Sequence, residues 1–132
     1  MNAFIIDGQD RPGELARVAE AVAERGINIT SISCIAWDGL GAIALTTNDE
    51  AGTRSIFAQK GFKAREIELV PASLEDKPGA LAGVTRKLAD AGINIELLLP
   101  MGMRDGKVTV GFGTSDPAKT RATLSMAALA NA

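Results

Sequence analysis

The chain has 132 residues, with 46% hydrophobic and 23% charged side chains, which is ordinary globular composition and enough for about one domain of usual size. Fourteen Lys and Arg face sixteen Asp and Glu, so no basic excess points to nucleic acid. With no His and Cys34 as the single cysteine, Ser-His-Asp and Cys-His catalysis, ordinary zinc sites and intrachain disulfides are all excluded.

The elements read in order from the N-terminus. Ala3 to Asp7 is a short apolar strand, with neither a basic flank nor the length of a signal peptide. Asp10 is placed to cap the next helix, and Pro12 suits its first turn. Leu15, Val18, Ala19 and Val22 form one apolar helical face, which Gly26 ends. Ile27 to Ile35 is rich in β-branched residues, and Asp38-Gly39 turns it into a second strand, Ala42 to Thr46. Asn48 or Asp49 caps a helix carrying Ile56 and Phe57 and closed by Gly61, and Lys63 to Glu68 returns as a strand.

The second half repeats the first. Asp10 to Ile29 aligns with Asp76 to Ile95 without a gap, with eleven of twenty positions identical at an offset of 66. Its strand runs from about Leu69 to Leu74 and its first helix from Gly79 to Ala91, with Leu81, Val84 and Leu88 facing inward. Ile95 to Met101 and Lys107 to Phe112 form a hairpin turned by Asp105-Gly106, and Asp116-Pro117 opens the last helix. Only four residues follow Ala128. The expected architecture is therefore α+β: two ferredoxin-like βαββαβ units, 1–68 and 69–132, with antiparallel sheets, helices on one face and no last strand in the second unit. That loss leaves the edge of Leu69 to Leu74 uncovered, blunted only by Pro71, and predicts a homodimer.

The chemistry-bearing feature is the twin Asp-x-Pro-Gly-x-Leu loop with its Gly-Ile-Asn-Ile partner. Gly13 and Gly79 let a ligand approach the amides of a helix start, which suit a carboxylate or phosphate. Asp10 and Asp76 could attract an ammonium, and Asn28 and Asn94 offer an amide at a strand head. Together these fit a zwitterion, a free amino acid. The same residues also serve as a plain helix start, helix stop and strand start, and both readings stand at this point. Cys34 reads as a small buried hydrophobe, Glu66 and Glu68 as a solvated strand face, and Met101 and Met103 as gap fillers near a hairpin tip. Phe112 alone cannot supply the stacked rings of an RNA-binding strand.

These residues resemble two ACT domains, the amino-acid-sensing modules of many metabolic enzymes, and the likeness extends over nearly the whole chain. The passage GFKAREIELVPASLEDKPGALAGV is similar to the junction in standalone tandem ACT proteins of bacteria. The resemblance implies sheet order 4-1-3-2 in each unit, edge-to-edge association, and ligands held between a β1–α1 loop and a neighbouring β2. Carried onto this chain, the ligand-binding residues are Asp10, Arg11, Pro12, Gly13, Glu14, Leu15, Asn28 and Ile29, and Asp76, Lys77, Pro78, Gly79, Ala80, Leu81, Asn94 and Ile95. Glu96 to Pro100 replaces the polar Thr30 to Ser33, so two unequal sites are expected. The resulting expectation is a cytoplasmic amino-acid-binding regulator without catalytic residues, cofactor, metal, nucleic acid or membrane contact. The competing reading is an assembly or regulatory subunit of an amino-acid metabolic enzyme.

Overall fold

Alternation of apolar residues in the first strand puts Phe4 and Ile6 on one side of a sheet, and both are buried there. In the computed structural model, which describes residues 1–130, ten elements follow one another: β1 (Asn2–Gln9), α1 (Glu14–Glu24), β2 (Ile29–Trp37), β3 (Leu40–Thr47), α2 (Glu50–Lys60), β4 (Ala64–Glu75), α3 (Ala80–Asp90), β5 (Ile95–Arg104), β6 (Lys107–Thr114) and α4 (Pro117–Ala130). The chain divides into two units, Met1–Ile67 and Glu68–Ala132.

In the first unit the strands lie in the order β2-β3-β1-β4. Phe4 pairs with Leu45 and Ile6 with Ile43, so these side chains share a face. Val18, Ala21 and Val22 of α1 and Ile56 and Phe57 of α2 pack on that face with Phe4, Ile6 and Leu45. Phe57 meets Phe4 edge-on, with ring centroids 5.8 Å apart. Burial of this cluster against two helices is what holds the unit together.

In the second unit the order is β4-β6-β5. Leu88, Ile93, Val110 and Phe112 form its core, with Leu74, Val84, Leu98, Val108 and Leu124 packed around them. No helix among the described residues is long and apolar enough to cross a membrane.

Both hairpins turn as their sequences require. Asp38 and Gly39 have φ of 49° and 76°, and Asp105 and Gly106 have 53° and 73°, the doubly left-handed turn that matches strand twist. Gly26 and Gly92 end their helices with positive φ, and the amides that follow, Ile27 N and Ile93 N, donate back to Val22 O and Leu88 O.

Several local expectations are corrected. Asp10 caps nothing: the N-cap of α1 is Gly13, at φ 92°, and no side chain caps that helix. Pro12 accordingly lies in the turn before the helix. Leu15 and Leu81 are exposed, because the packed stripe starts one turn later, at Val18 and Val84. Cys34 is exposed, since the two helices cover β1 and β3 and leave the outer part of β2 bare. The separate strands expected at Lys63 to Glu68 and Leu69 to Leu74 are one continuous β4, for no turn residue stands between them. The last helix continues past Ala128 to Ala130. Residues 131 and 132, the last of the four that follow Ala128, lie outside the described residues.

Candidate functional site

Four helices begin in two different ways. Asp49 accepts from Gly52 N at 2.9 Å and Asp116 from Lys119 N at 3.0 Å, so α2 and α4 carry side-chain caps. The helices that follow Asp-x-Pro-Gly, α1 and α3, start from a left-handed glycine without one. Inside those helices the first backbone bonds run from Arg17 N to Gly13 O and from Gly83 N to Gly79 O, both 2.9 Å. Leu15 N and Ala16 N, and likewise Leu81 N and Ala82 N, therefore find no acceptor among the described residues. Such amides at the positive end of a helix are ready donors to an anion.

In the first unit this helix start borders a cavity of about 500 Å3, a volume in the range of small-ligand pockets. Gly13, Glu14, Leu15 and Ala16 line one wall. Ile6, Ile43, Cys34 and Ala36 belong to the sheet side, and Phe62 and Lys63 close another. Asp10, Arg11 and Arg17 complete a charged lining of both signs, whereas the Asp7 side chain is paired with Arg65.

Glu14 organises those charges. Arg11 Nε donates to its carboxylate at 2.9 Å, and Arg17 approaches the other oxygen at 3.2 Å. The Arg11 hydrogen bond, aided by both cations and opposed by partial desolvation, holds the Glu14 carboxyl below the ordinary carboxylate range. Arg17 also lies over the Phe62 ring, 5.2 Å from its centroid. Asp10 is placed through its backbone, whose amide donates to Gly39 O at 3.0 Å. Asp76 does the same to Gly106 O at 2.9 Å.

Of the first set of sequence-predicted residues, Asp10, Arg11, Gly13, Glu14 and Leu15 line the cavity. Pro12 sits in the same loop without lining it. Asn28 and Ile29 are elsewhere: α1, of eleven residues and about 16 Å, separates them from Gly13. The exposed Asn28 serves the backbone, its amide donating to Asn48 Oδ1 at 3.0 Å and its carbonyl accepting from Asn48 N.

The second unit divides its set the opposite way. Asn94 and Ile95 border an open depression with Ala82, Thr85 and Arg86, whereas Asp76, Lys77, Pro78, Gly79, Ala80 and Leu81 do not line it. Sequence reasoning missed Arg17, Cys34, Phe62 and Lys63 as cavity residues. Arg17 was within reach, standing three residues after Glu14 on one helix; the others meet only in the folded chain. Among the described residues no group of three His, Cys, Asp or Glu could hold a metal ion.

Comparison with known proteins adds the following. A model of the ACT domain matches residues 3–36 and 69–99, once in each unit. An aspartokinase of Mycolicibacterium smegmatis is 32% identical over 106 residues, 67% of this chain, and the chain spans about a quarter (25%) of that relative's length. Two solved structures share the fold. A protein from Bacteroides thetaiotaomicron superposes with a TM-score of 0.82 at 22% identity, covering 95% of this chain and 86% of the other. The regulatory subunit of aspartate kinase from Thermus thermophilus, in a ligand-free form, gives 0.70 at 20% identity, covering 93% and 87%.

Proposed function

The chain belongs to the ACT-domain family, and we propose that it is a regulatory protein that binds a free amino acid and performs no chemistry of its own. The observation that carries this reading is the contrast between helix starts. Asp49 and Asp116 cap α2 and α4, whereas both Asp-x-Pro-Gly loops leave two amides open. A loop that served only to start a helix would use its aspartate as the cap. Asp10 instead stands beside the cavity with its side chain left for a ligand's ammonium, while Leu15 N and Ala16 N suit the carboxylate.

The regulated partner follows the same reasoning. The curated relative is an aspartokinase and a solved neighbour is a regulatory subunit of aspartate kinase, which favours an amino-acid metabolic enzyme as the partner. A thermal-shift series over the twenty amino acids tests the ligand reading. One of them, at a hundredfold excess over its Kd, should add about 2.7 kcal/mol of stability. A flat response to all twenty removes amino-acid binding and leaves the assembly role.

A further inference from the structure

The two units differ in one row of residues running across the face of the sheet that carries the helices. In the first unit Gly8 of β1 pairs with Gly41 of β3, and Gly41 pairs with Ala36 of β2. Directly paired residues point to the same face, and this row lies two residues along from Ile6, Ile43 and Cys34, so it shares their face. In the second unit the matching row is Leu74, Val108 and Met103. The match follows from Phe4–Leu45–Ile32, whose counterpart is Val70–Phe112–Leu98. Three small residues stand in one unit where three large ones stand in the other.

The consequence is local and physical. Leu74 and Val108 pack against the second core and fill the space at this level. Gly8 and Gly41 leave it open: a Cβ built on Gly8 meets nothing within 4 Å, and both glycines line the cavity. The rim charges differ as well. Glu14 and Arg17 have Ala80 and Gly83 as their counterparts in the second unit.

We propose that the first unit alone holds the ligand, in the hollow over Gly8, Gly41 and Ala36, and that it selects an amino acid with an uncharged, apolar side chain. The proposal rests on the amino-acid reading above and adds the side-chain class and the unit. The lining of the hollow divides into charged and apolar residues. The lining charges, Asp10 and Glu14 against Arg11, Arg17 and Lys63, match a zwitterion's two ends. Ile6, Ile43, Cys34 and Phe62 in the same lining offer no charge to pair with a carboxylate or ammonium on the ligand's side chain. A charged side chain would lose its hydration there without recompense.

Cys34 supplies the readout, being exposed, a lining residue and the single thiol of the chain. Its rate of reaction with a disulfide reagent such as DTNB is measured with and without each amino acid, beside calorimetry on the same samples. Leucine, isoleucine, methionine or phenylalanine should slow the reaction, and aspartate, glutamate, lysine and arginine should not. The double variant Gly8→Leu with Gly41→Val, which transplants the second unit's own residues, should lower affinity about a hundredfold or more, with its circular dichroism unchanged. If that variant does not fold, the protection pattern of the unmodified protein still decides. Protection by charged amino acids only, calorimetric binding without protection of Cys34, or full affinity in a folded double variant overturns the proposal and leaves amino-acid binding intact. Absence of binding by every amino acid in calorimetry overturns both.

Discussion

The hydroxyl of Thr53 lies 2.7 Å from that of Thr47, and the pair closes a small ring of hydrogen bonds at the start of α2. Asp49 N donates to Thr47 Oγ1, and Thr53 Oγ1 donates to Asp49 O, so the Thr47 proton points to Thr53. Thr114, Asp116 and Thr120 repeat the arrangement at 2.6 Å in the second unit. All four threonines are buried.

Replacing Thr53 with the isosteric Val leaves the Thr47 hydroxyl a buried donor with no acceptor. The expected loss is about 1–3 kcal/mol, read as a lower urea midpoint with unchanged slope. Thr120→Val should do the same in the second unit. A neutral effect in both would show that the rings are incidental.

Stability should also fall on acidification in a way that Glu66 helps to set. Arg54 Nε donates to Glu66 Oε2 at 2.7 Å, and a second guanidinium nitrogen donates to Oε1 at 2.6 Å. This hydrogen bonding is the main cause holding the Glu66 carboxyl below its ordinary value, with Asn2 adding to it. A depressed folded value stabilises above the unfolded carboxylate pKa, and the contribution disappears as pH falls through the folded one. Glu66→Gln should therefore flatten the acid limb of Tm against pH while changing little at the acid extreme. Both partners are partly in water, so added salt should shrink the difference.

Ligand affinity should separate Arg17, which the sequence did not single out, from Asn28, which it did. Arg17→Gln, which removes one hold on Glu14 and one lining cation, should weaken binding by about tenfold, or 1.4 kcal/mol. Asn28→Ala should leave it unchanged, because Asn28 sits at the far end of α1. Calorimetry of the two variants checks both, and equal losses would return the strand head to the site. Gly13→Val is a less clean test of the same site. At φ 92° it carries backbone strain of about 1–3 kcal/mol, so its folding must be measured beside its binding.

Association is expected to yield a homodimer, and the structure offers a second edge for it besides Leu69 to Leu74. Those residues pair on one side with β6, from Leu69–Gly113 to Leu74–Val108. β2 ends the strand order of its unit, and its nine residues include no charge and no proline, the usual guards of an edge. Ile35 and Trp37 on it are 63% and 54% exposed. Light scattering after size exclusion should give twice 13.7 kDa, and lower mass for Ile35→Lys. A monomer at micromolar concentration removes the expectation.

Element order and turns were legible because each rests on short-range chemistry. Asp38-Gly39, Asp105-Gly106, Gly26 and Gly92 encode left-handed backbone locally, and the structure has it at each. Asp49 and Asp116 read correctly as caps for the same reason. Asp10 looks no different in sequence, yet the left-handed Gly13 takes the cap position, so proximity in the chain misled. Cys34 failed differently: exposure on an edge strand depends on how far two helices reach, which no local pattern states. The row Gly8, Gly41 and Ala36 lay in plain view opposite Leu74, Val108 and Met103, but only strand register reveals it as a row.

The uncapped starts of α1 and α3 have a consequence for breathing motions. A glycine in place of a side-chain cap forgoes a few tenths of a kcal/mol of local helix stability, so the first turns of these two helices open more readily than those of α2 and α4. Their amides then exchange with solvent deuterium early, Leu15 and Ala16 well ahead of Gly52 and Lys119. An occupant that accepts from Leu15 N and Ala16 N would close that first turn and slow its exchange, leaving the capped helices as they were. Occupancy would thus be written as a local gain of order at the head of α1, a signal made of rigidity rather than displacement.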